Sequence, residues 1–427
     1  MPAAVSDVRT NDEVAYDQER LRQWREGEAR AGGVSRRAML GLLAAAGAAG
    51  AVPLAAPARA AAAEPTIRKP LPPEWFVPRG TNAETRFEAL RGTGHTTPNE
   101  RFFVRNHTST PVLDAAEWRL KVWGSGLRGR HAEDRPVEFG YDDLRRLPSV
   151  RRTAFVECAG NGRSFYASQQ GETVTGTAWT LGAIGVARWR GVRLGDVLRR
   201  AGVTRYAEDV QPRGLDAEFV SGGANLGRIR RPLPLAKALD DVLLAYEMNG
   251  EPLPADHGYP VRVVVPSWIG ISSIKWVGDI EVSEEPLYSP WNTTLYRRFG
   301  PAYPPEGSAP LTRQTLKSAF ELASGAVFTT GERTTLHGRS WSGAGAVAKV
   351  EVSTDGGERW RRARLHDVPR ADTWTRWSLD WRPDTPGPAA LLARATDVRG
   401  RTQPATSVPN AQGYLFDVVV RHPVTVV

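Results

Sequence analysis

From about Phe87 to Pro290, apolar residues recur in short groups whose period keeps switching. "GVRLGDVLRRAGV" (191–203) puts Leu194, Val197 and Leu198 on one helical face, with a glycine at each end as punctuation. "PLAKALDDVLLAYEMNG" (234–250) predicts a second helix and closes on the turn signal Asn249-Gly250. "TAFVE", "YPVRVVVPSWIG" and "IKWVGDIEVSEE" are β-branched or aromatic runs that predict strands. Short strands and helices without a strict βαβ rhythm indicate an α+β domain over 85–298. After the proline- and glycine-rich "FGPAYPPEGSAP" (299–310) the pattern becomes all-β. Asp355-Gly356-Gly357 between "AKVEVST" and "ERWRRARL" predicts a hairpin, and "TWTRWSLDW" alternates as a half-buried strand does. Residues 305–427 therefore read as an immunoglobulin-like β-sandwich. Trp341, Trp360, Trp374, Trp377 and Trp381 fall within it and are expected in its core or at an interface.

The first 84 residues are different material. A polar, mixed-charge stretch runs to Gly33, and Ser35-Arg36-Arg37 then precedes a weakly hydrophobic alanine- and glycine-rich run ending Ala58-Arg59-Ala60. That order, with paired arginines, predicts a twin-arginine export signal over 1–60 and delivery to the periplasm or cell exterior. The run is a poor membrane anchor, so no stable span is expected once the signal is removed. Residues 61–84 are proline-rich and predict an extended surface arm.

Lys and Arg outnumber Asp and Glu by 56 to 47 among 427 residues, a balance that draws in anions. The arginines are dispersed without a basic tract, which argues against nucleic acid and for a small anionic ligand. Seven histidines show no metal-ligand spacing and there is one cysteine, so an all-protein zinc site, a covalently held haem and an internal disulfide are not expected.

That cysteine, Cys158, stands in "FVECAGNGRSFY", where a strand runs into a turn carrying Gly160, Gly162 and Arg163. A thiol at a strand end beside a cation suits a nucleophile or a metal ligand as well as a buried small hydrophobe. Other polar groups sit at strand ends or turns: Arg105, Asn106 and His107 in "FFVRNHTSTP", His257 and Arg262 in "DHGYPVRVVVP", and Lys275 in "SSIKW". Together they suit a buried anion, since arginine offers a fork and lysine a point charge to phosphate. Two other readings remain: a secreted binding protein with an inert first domain, and a cysteine hydrolase using Asp256-His257.

The motifs "FFVRNH", "ECAGNGR", "GAIGVARWRGVRL", "LLAYEMNGEPLPADHGYPVRVVVP" and "IKWVGDIEV" resemble the sulfite oxidase family of molybdenum enzymes, and 305–427 resembles that family's dimerisation domain. The resemblance implies a mixed α/β molybdopterin-binding domain followed by the sandwich, a molybdenum–molybdopterin cofactor and a homodimer. It implies Cys158 as the metal ligand, a soft donor suited to molybdenum. Cofactor contacts are implied at Phe103, Val104, Arg105, Asn106, His107, Asp216, His257, Arg262, Ser273, Ile274 and Lys275, through backbone groups at Phe103, Val104, Ser273 and Ile274. Arg105, Arg163, Trp179 and Tyr296 are implied to hold the substrate, sulfite or a similar small oxyanion. Gly162 and Thr175 stand where animal members carry an arginine and a lysine, which keeps a different substrate such as a sulfoxide open. No cytochrome b5-like segment or haem motif is recognisable, so electrons are expected to leave for an external acceptor such as a c-type cytochrome.

Overall fold

The computed structural model describes residues 3–26 and 66–427. The arginine pair and the apolar run that follows it lie outside the described residues. Among the described residues no helix is long and apolar enough to cross a membrane.

The first domain is built on two five-stranded sheets. One has the order Leu233–Pro234, Asp209–Gly214, Val277–Ser283, Arg119–Trp123, Val137–Gly140, with a single parallel pairing between the third and fourth. The other runs Glu251–Pro252, Leu243–Met248, Ile184–Arg193, Ser149–Glu157, with Arg262–Val264 also pairing on Leu243–Met248. All of its pairings are antiparallel, as a domain without βαβ rhythm should show. The helix Leu194–Ala201 buries Leu194, Val197 and Leu198 and ends on Gly202 in the left-handed region. Leu235–Asp240 is the second helix, and the apolar run after it becomes a strand instead of prolonging it.

The second domain is a sandwich of a four-stranded and a five-stranded sheet. Leu336, Trp377, Leu379 and Trp381 from one sheet meet Val350, Val352, Leu391 and Val424 from the other in one core. The Asp355-Gly356-Gly357 turn joins Val347–Ser353 to Arg361–Arg362 as an antiparallel pair. Trp341 and Trp374 face the other way. They pack on Phe87, Phe155, Leu181, Ile184 and Val186 of the first domain, so the domains share a continuous apolar seam.

Two N-terminal segments have structure that the sequence did not announce. The segment read as a surface arm contains an antiparallel hairpin, Phe76–Arg79 with Asn82–Thr85, whose second strand is wholly buried. Phe76 and Ala83 supply the burial, packing on Ile67 and Val104. Within the stretch read as part of the export segment, Ala3–Glu26 forms a helix against the folded body. Arg20 pairs with Asp209 and Glu208 at 3.0 and 2.9 Å, Glu13 with Arg313 at 2.6 Å, and Asp17 accepts from the Thr312 hydroxyl at 2.9 Å. Charged side chains anchor this helix, so its polar composition gave no hint of burial.

Candidate active site

Strand Ser149–Glu157 delivers Cys158 to a turn at the edge of a cavity of about 80 Å³. The Cys158 N–H donates to the Ala183 carbonyl at 2.9 Å, and the residue is 8% exposed. Asn161 locks the turn, donating to the Glu157 carboxylate at 2.9 Å and to the Leu181 carbonyl at 3.1 Å while accepting from the Ala183 N–H at 3.0 Å. Both glycines of the turn sit where a side chain would crowd a neighbour. A Cβ at Gly160 would lie 2.5 Å from the Arg163 guanidinium, and at Gly162, where φ is +93°, a Cβ would lie 3.0 Å from the Phe416 ring.

Twelve of the residues anticipated from sequence line this one cavity: Phe103, Arg105, Asn106, His107, Cys158, Asp216, His257, Arg262, Ser273, Ile274, Lys275 and Tyr296. Their neighbours hold them in place. Arg105 reaches His107 Nε2 at 3.0 Å and the Asn82 side chain at 3.4 Å. Asn106 bonds to Thr110 at 2.9 Å, and Lys275 bonds to Asn106 and, at 2.8 Å, to the Asp256 carbonyl. Arg262 is buried over Trp189 and donates to the carbonyls of His257 and Ser273, each at 3.0 Å.

Burial sets the protonation states. His107 and His257 are pushed well below the usual histidine range, by burial first and then by neighbouring cations, so both rings are neutral at pH 7. Lys275 and Arg262 are depressed by burial, Arg262 to about 9, and Asp216 is raised to about 6. Burial also lifts the Tyr296 phenol above its ordinary value, with Arg105 opposing, so it remains a hydroxyl donor at neutral pH.

Three anticipated residues are not brought to the cavity wall. Val104 is buried in the hairpin core, and its N–H and C=O both bond to Ala83, at 2.9 and 3.0 Å, so its N–H is not free to donate to a ligand. Trp179 is fully buried, edge-on to Phe103 at 6.4 Å, and supports that wall from behind. Arg163 folds back, donating to the carbonyls of Gln412 at 2.7 Å and Thr177 at 2.8 Å. Ser273 lines the cavity, but its N–H and C=O are also engaged, with Gly270 and Arg262. Thr175 donates to the Ala411 carbonyl at 3.1 Å.

Sequence reasoning passed over Phe102, Ile271 and Trp276 on the wall, and it gave Asp256 a part only in the cysteine-hydrolase reading. Asp256 is buried, accepts from the backbone N–H groups of Arg68 and Lys69 and from the Thr110 hydroxyl, and so ties residues 66–69 to the site. Its direct neighbour His257 was singled out; the proline-framed "PLPADHGYP" was the available signal.

Among the described residues, no group of three or more His, Cys, Asp or Glu side chains is arranged to hold a metal. A metal at Cys158 would therefore need a cofactor to supply its other ligands. The wall suits one: a thiol, a run of cations, and two buried polar atoms without a protein partner, His257 Nε2 and Asp216 Oδ1.

Comparison with known proteins settles the family. The model for the oxidoreductase molybdopterin binding domain matches residues 107–291, and that for the Mo-co oxidoreductase dimerisation domain matches 321–426. Sulfite oxidase of Gallus gallus is 38% identical, aligned over 78% of this chain and 74% of that one. The chain belongs to the sulfite oxidase family. Mitochondrial sulfite oxidase of Mus musculus is also 38% identical, over 82% of this chain, and this chain spans 65% of its length. Among solved structures, the sulfane dehydrogenase SoxCD from Paracoccus pantotrophus is similar at TM-score 0.68 and 29% identity, covering 81% of this chain and 85% of that chain. The family's two-part architecture, a mixed α/β molybdopterin domain followed by a β domain, is the one described above.

Proposed function

We propose that this chain oxidises sulfite to sulfate with a molybdenum–molybdopterin cofactor held at Cys158. The observation that carries this reading is one cavity in which the thiol, the Arg105 guanidinium and the protonated Tyr296 hydroxyl share a wall with three further cationic or neutral nitrogen side chains, Lys275, Arg262 and His257. When bound, the cofactor would supply an oxygen atom to the sulfur and take up two electrons, water making good the oxygen and two protons leaving. The protein's part is to bind and orient. Arg105 and Tyr296 offer N–H and O–H donors to the oxygens of the anion, leaving its sulfur lone pair free to point at the metal. Lys275, Arg262 and neutral His257 would hold the phosphate and polar edges of the pterin, with Asp216 accepting from ring N–H donors.

The electrons would pass singly to an external carrier, a c-type cytochrome, with no haem in this chain. Two chains would pair through the second domain. The order of residues 1–60 supports twin-arginine export to the periplasm or beyond. A second reading, reduction of a neutral substrate such as a sulfoxide, is favoured by the withdrawal of Arg163 and the neutral Thr175, which leave the anion pocket less positive.

Metal analysis combined with a sulfite-dependent cytochrome c reduction assay tests the proposal. We expect one molybdenum per chain and turnover on sulfite, both lost in Cys158→Ser. Full activity in that variant refutes the role of the thiolate, and turnover on sulfoxides but not sulfite selects the second reading.

A further inference from the structure

Tyr296 adopts a backbone conformation that L-residues avoid, with φ +55°. Something must hold it there, and the source is the second domain. Residues 410–416 leave the sandwich and cross onto the Cys158 turn: the Leu415 N–H donates to the Ala159 carbonyl at 2.8 Å, and the Gln412 carbonyl accepts from Arg163 at 2.7 Å. Asn410 closes the loop on itself, accepting from the Tyr414 N–H at 3.0 Å and donating to the Tyr414 carbonyl at 2.9 Å. The buried ring this loop carries, Tyr414, stacks on Tyr296 with centroids 5.0 Å apart and planes 17° apart. Arg163 lies over the same Tyr414 ring at 5.4 Å. The Tyr296 backbone amide faces the Tyr414 hydroxyl, and the Tyr296 carbonyl accepts from the Leu311 N–H at 2.9 Å.

We propose that Tyr414 is a positioning residue for the anion pocket, through which the second domain fixes the Tyr296 ring and the Arg163 guanidinium. The inference rests on the reading that Tyr296 contacts the anion. Stacking places the Tyr296 hydroxyl, and the cation–π contact together with the Gln412 carbonyl keeps Arg163 folded back from the cavity wall. Because the loop is bonded to both Arg163 and Ala159, a shift of the second domain moves the pocket wall with it.

Three variants of the cofactor-loaded protein test this, read by sulfate binding in calorimetry and by steady-state sulfite kinetics. Tyr414→Leu removes the stacked face. We expect sulfate affinity to fall roughly 5–10-fold, the size of a lost aromatic pair, with the kinetic loss mainly in KM. Tyr414→Phe keeps the face and should stay within about threefold of the parent. In a Tyr296→Phe background, Tyr414→Leu should cost clearly less than it does alone if the two rings act as a unit. Unchanged molybdenum content and melting temperature accompany the expected result. Equal sulfate affinity in Tyr414→Leu and the parent, or the same fold-loss with and without the Tyr296 hydroxyl, overturns the inference. A parent that binds sulfate but does not oxidise sulfite overturns the functional reading alone, while the affinity ratios still decide the role of Tyr414. A parent that binds no sulfate overturns both.

Discussion

Lys317→Met should loosen the strand that ends on Cys158 more than any surface change could. Glu157, the residue before the cysteine, is fully buried, and its carboxylate is met from three directions. Lys317 Nζ of the second domain lies 2.8 Å from Oε1, the Trp341 indole donates to Oε2 at 2.9 Å, and Asn161 donates to Oε1 at 2.9 Å. Methionine fills nearly the volume of lysine but removes the only cation against this carboxylate among the described ion pairs. Removing one partner of a buried pair typically costs about 3–5 kcal/mol, because the other charge is left uncompensated. The two surviving donors put the expected loss at the low end, about 3 kcal/mol. At roughly 2–4 °C per kcal/mol, thermal unfolding of the loaded protein should drop by about 6–12 °C. The double variant Lys317→Met, Glu157→Gln carries no buried charge and should recover part of that loss. A melting temperature within about 1 °C of the parent in Lys317→Met, or a double variant worse than the sum of its singles, would refute the clamp.

Two further outcomes are expected. Arg105→Ala, which deletes a cavity-lining guanidinium, should raise KM for sulfite about 10–100-fold while leaving molybdenum content intact; an unchanged KM would remove Arg105 from the anion site. In protein that keeps its first 60 residues, docking of the Ala3–Glu26 helix should weaken as pH rises from about 4 to 7. Burial raises Asp17 to about 7, so the docked state holds a proton that the detached helix, with an ordinary carboxyl, gives up near pH 4. The docked form therefore loses ground through that window and levels off above it. Limited proteolysis of the first 26 residues at pH 5, 6, 7 and 8 measures this, and protection that grows with pH would contradict it.

Much of the site could be read from the chain because its pieces are local. The strand into "CAGNG", the arginine and histidine of "FFVRNH" and the turn at "DHGYP" each carry chemistry within a few residues, and all line one cavity. What the sequence concealed depends on distance along the chain. No pattern around Tyr414 announces that it will lie on Tyr296, over a hundred residues earlier, nor that the Gln412 carbonyl will hold Arg163 away from the wall. The hairpin at 76–85 was missed because Asn82, Glu84 and Thr85 are polar, yet all are buried by long-range contacts: Glu84 accepts from the N–H and hydroxyl of Thr180 and from the Gly182 N–H. Val104 lies off the cavity wall for a related reason. Its neighbours Phe103 and Arg105 line the cavity, while an isolated bridge to Ala83 sets Val104 in the hairpin core.

The apolar seam formed by Trp341 and Trp374 has an evolutionary and practical corollary. Neither half of this molecule can be exchanged for a relative's counterpart without carrying its matching surface, because the partner of each indole is a side chain from the other half. Chimeras spliced in the proline-rich stretch near residue 305 should therefore assemble only when Phe87, Phe155 and Ile184 travel with the tryptophans they cover.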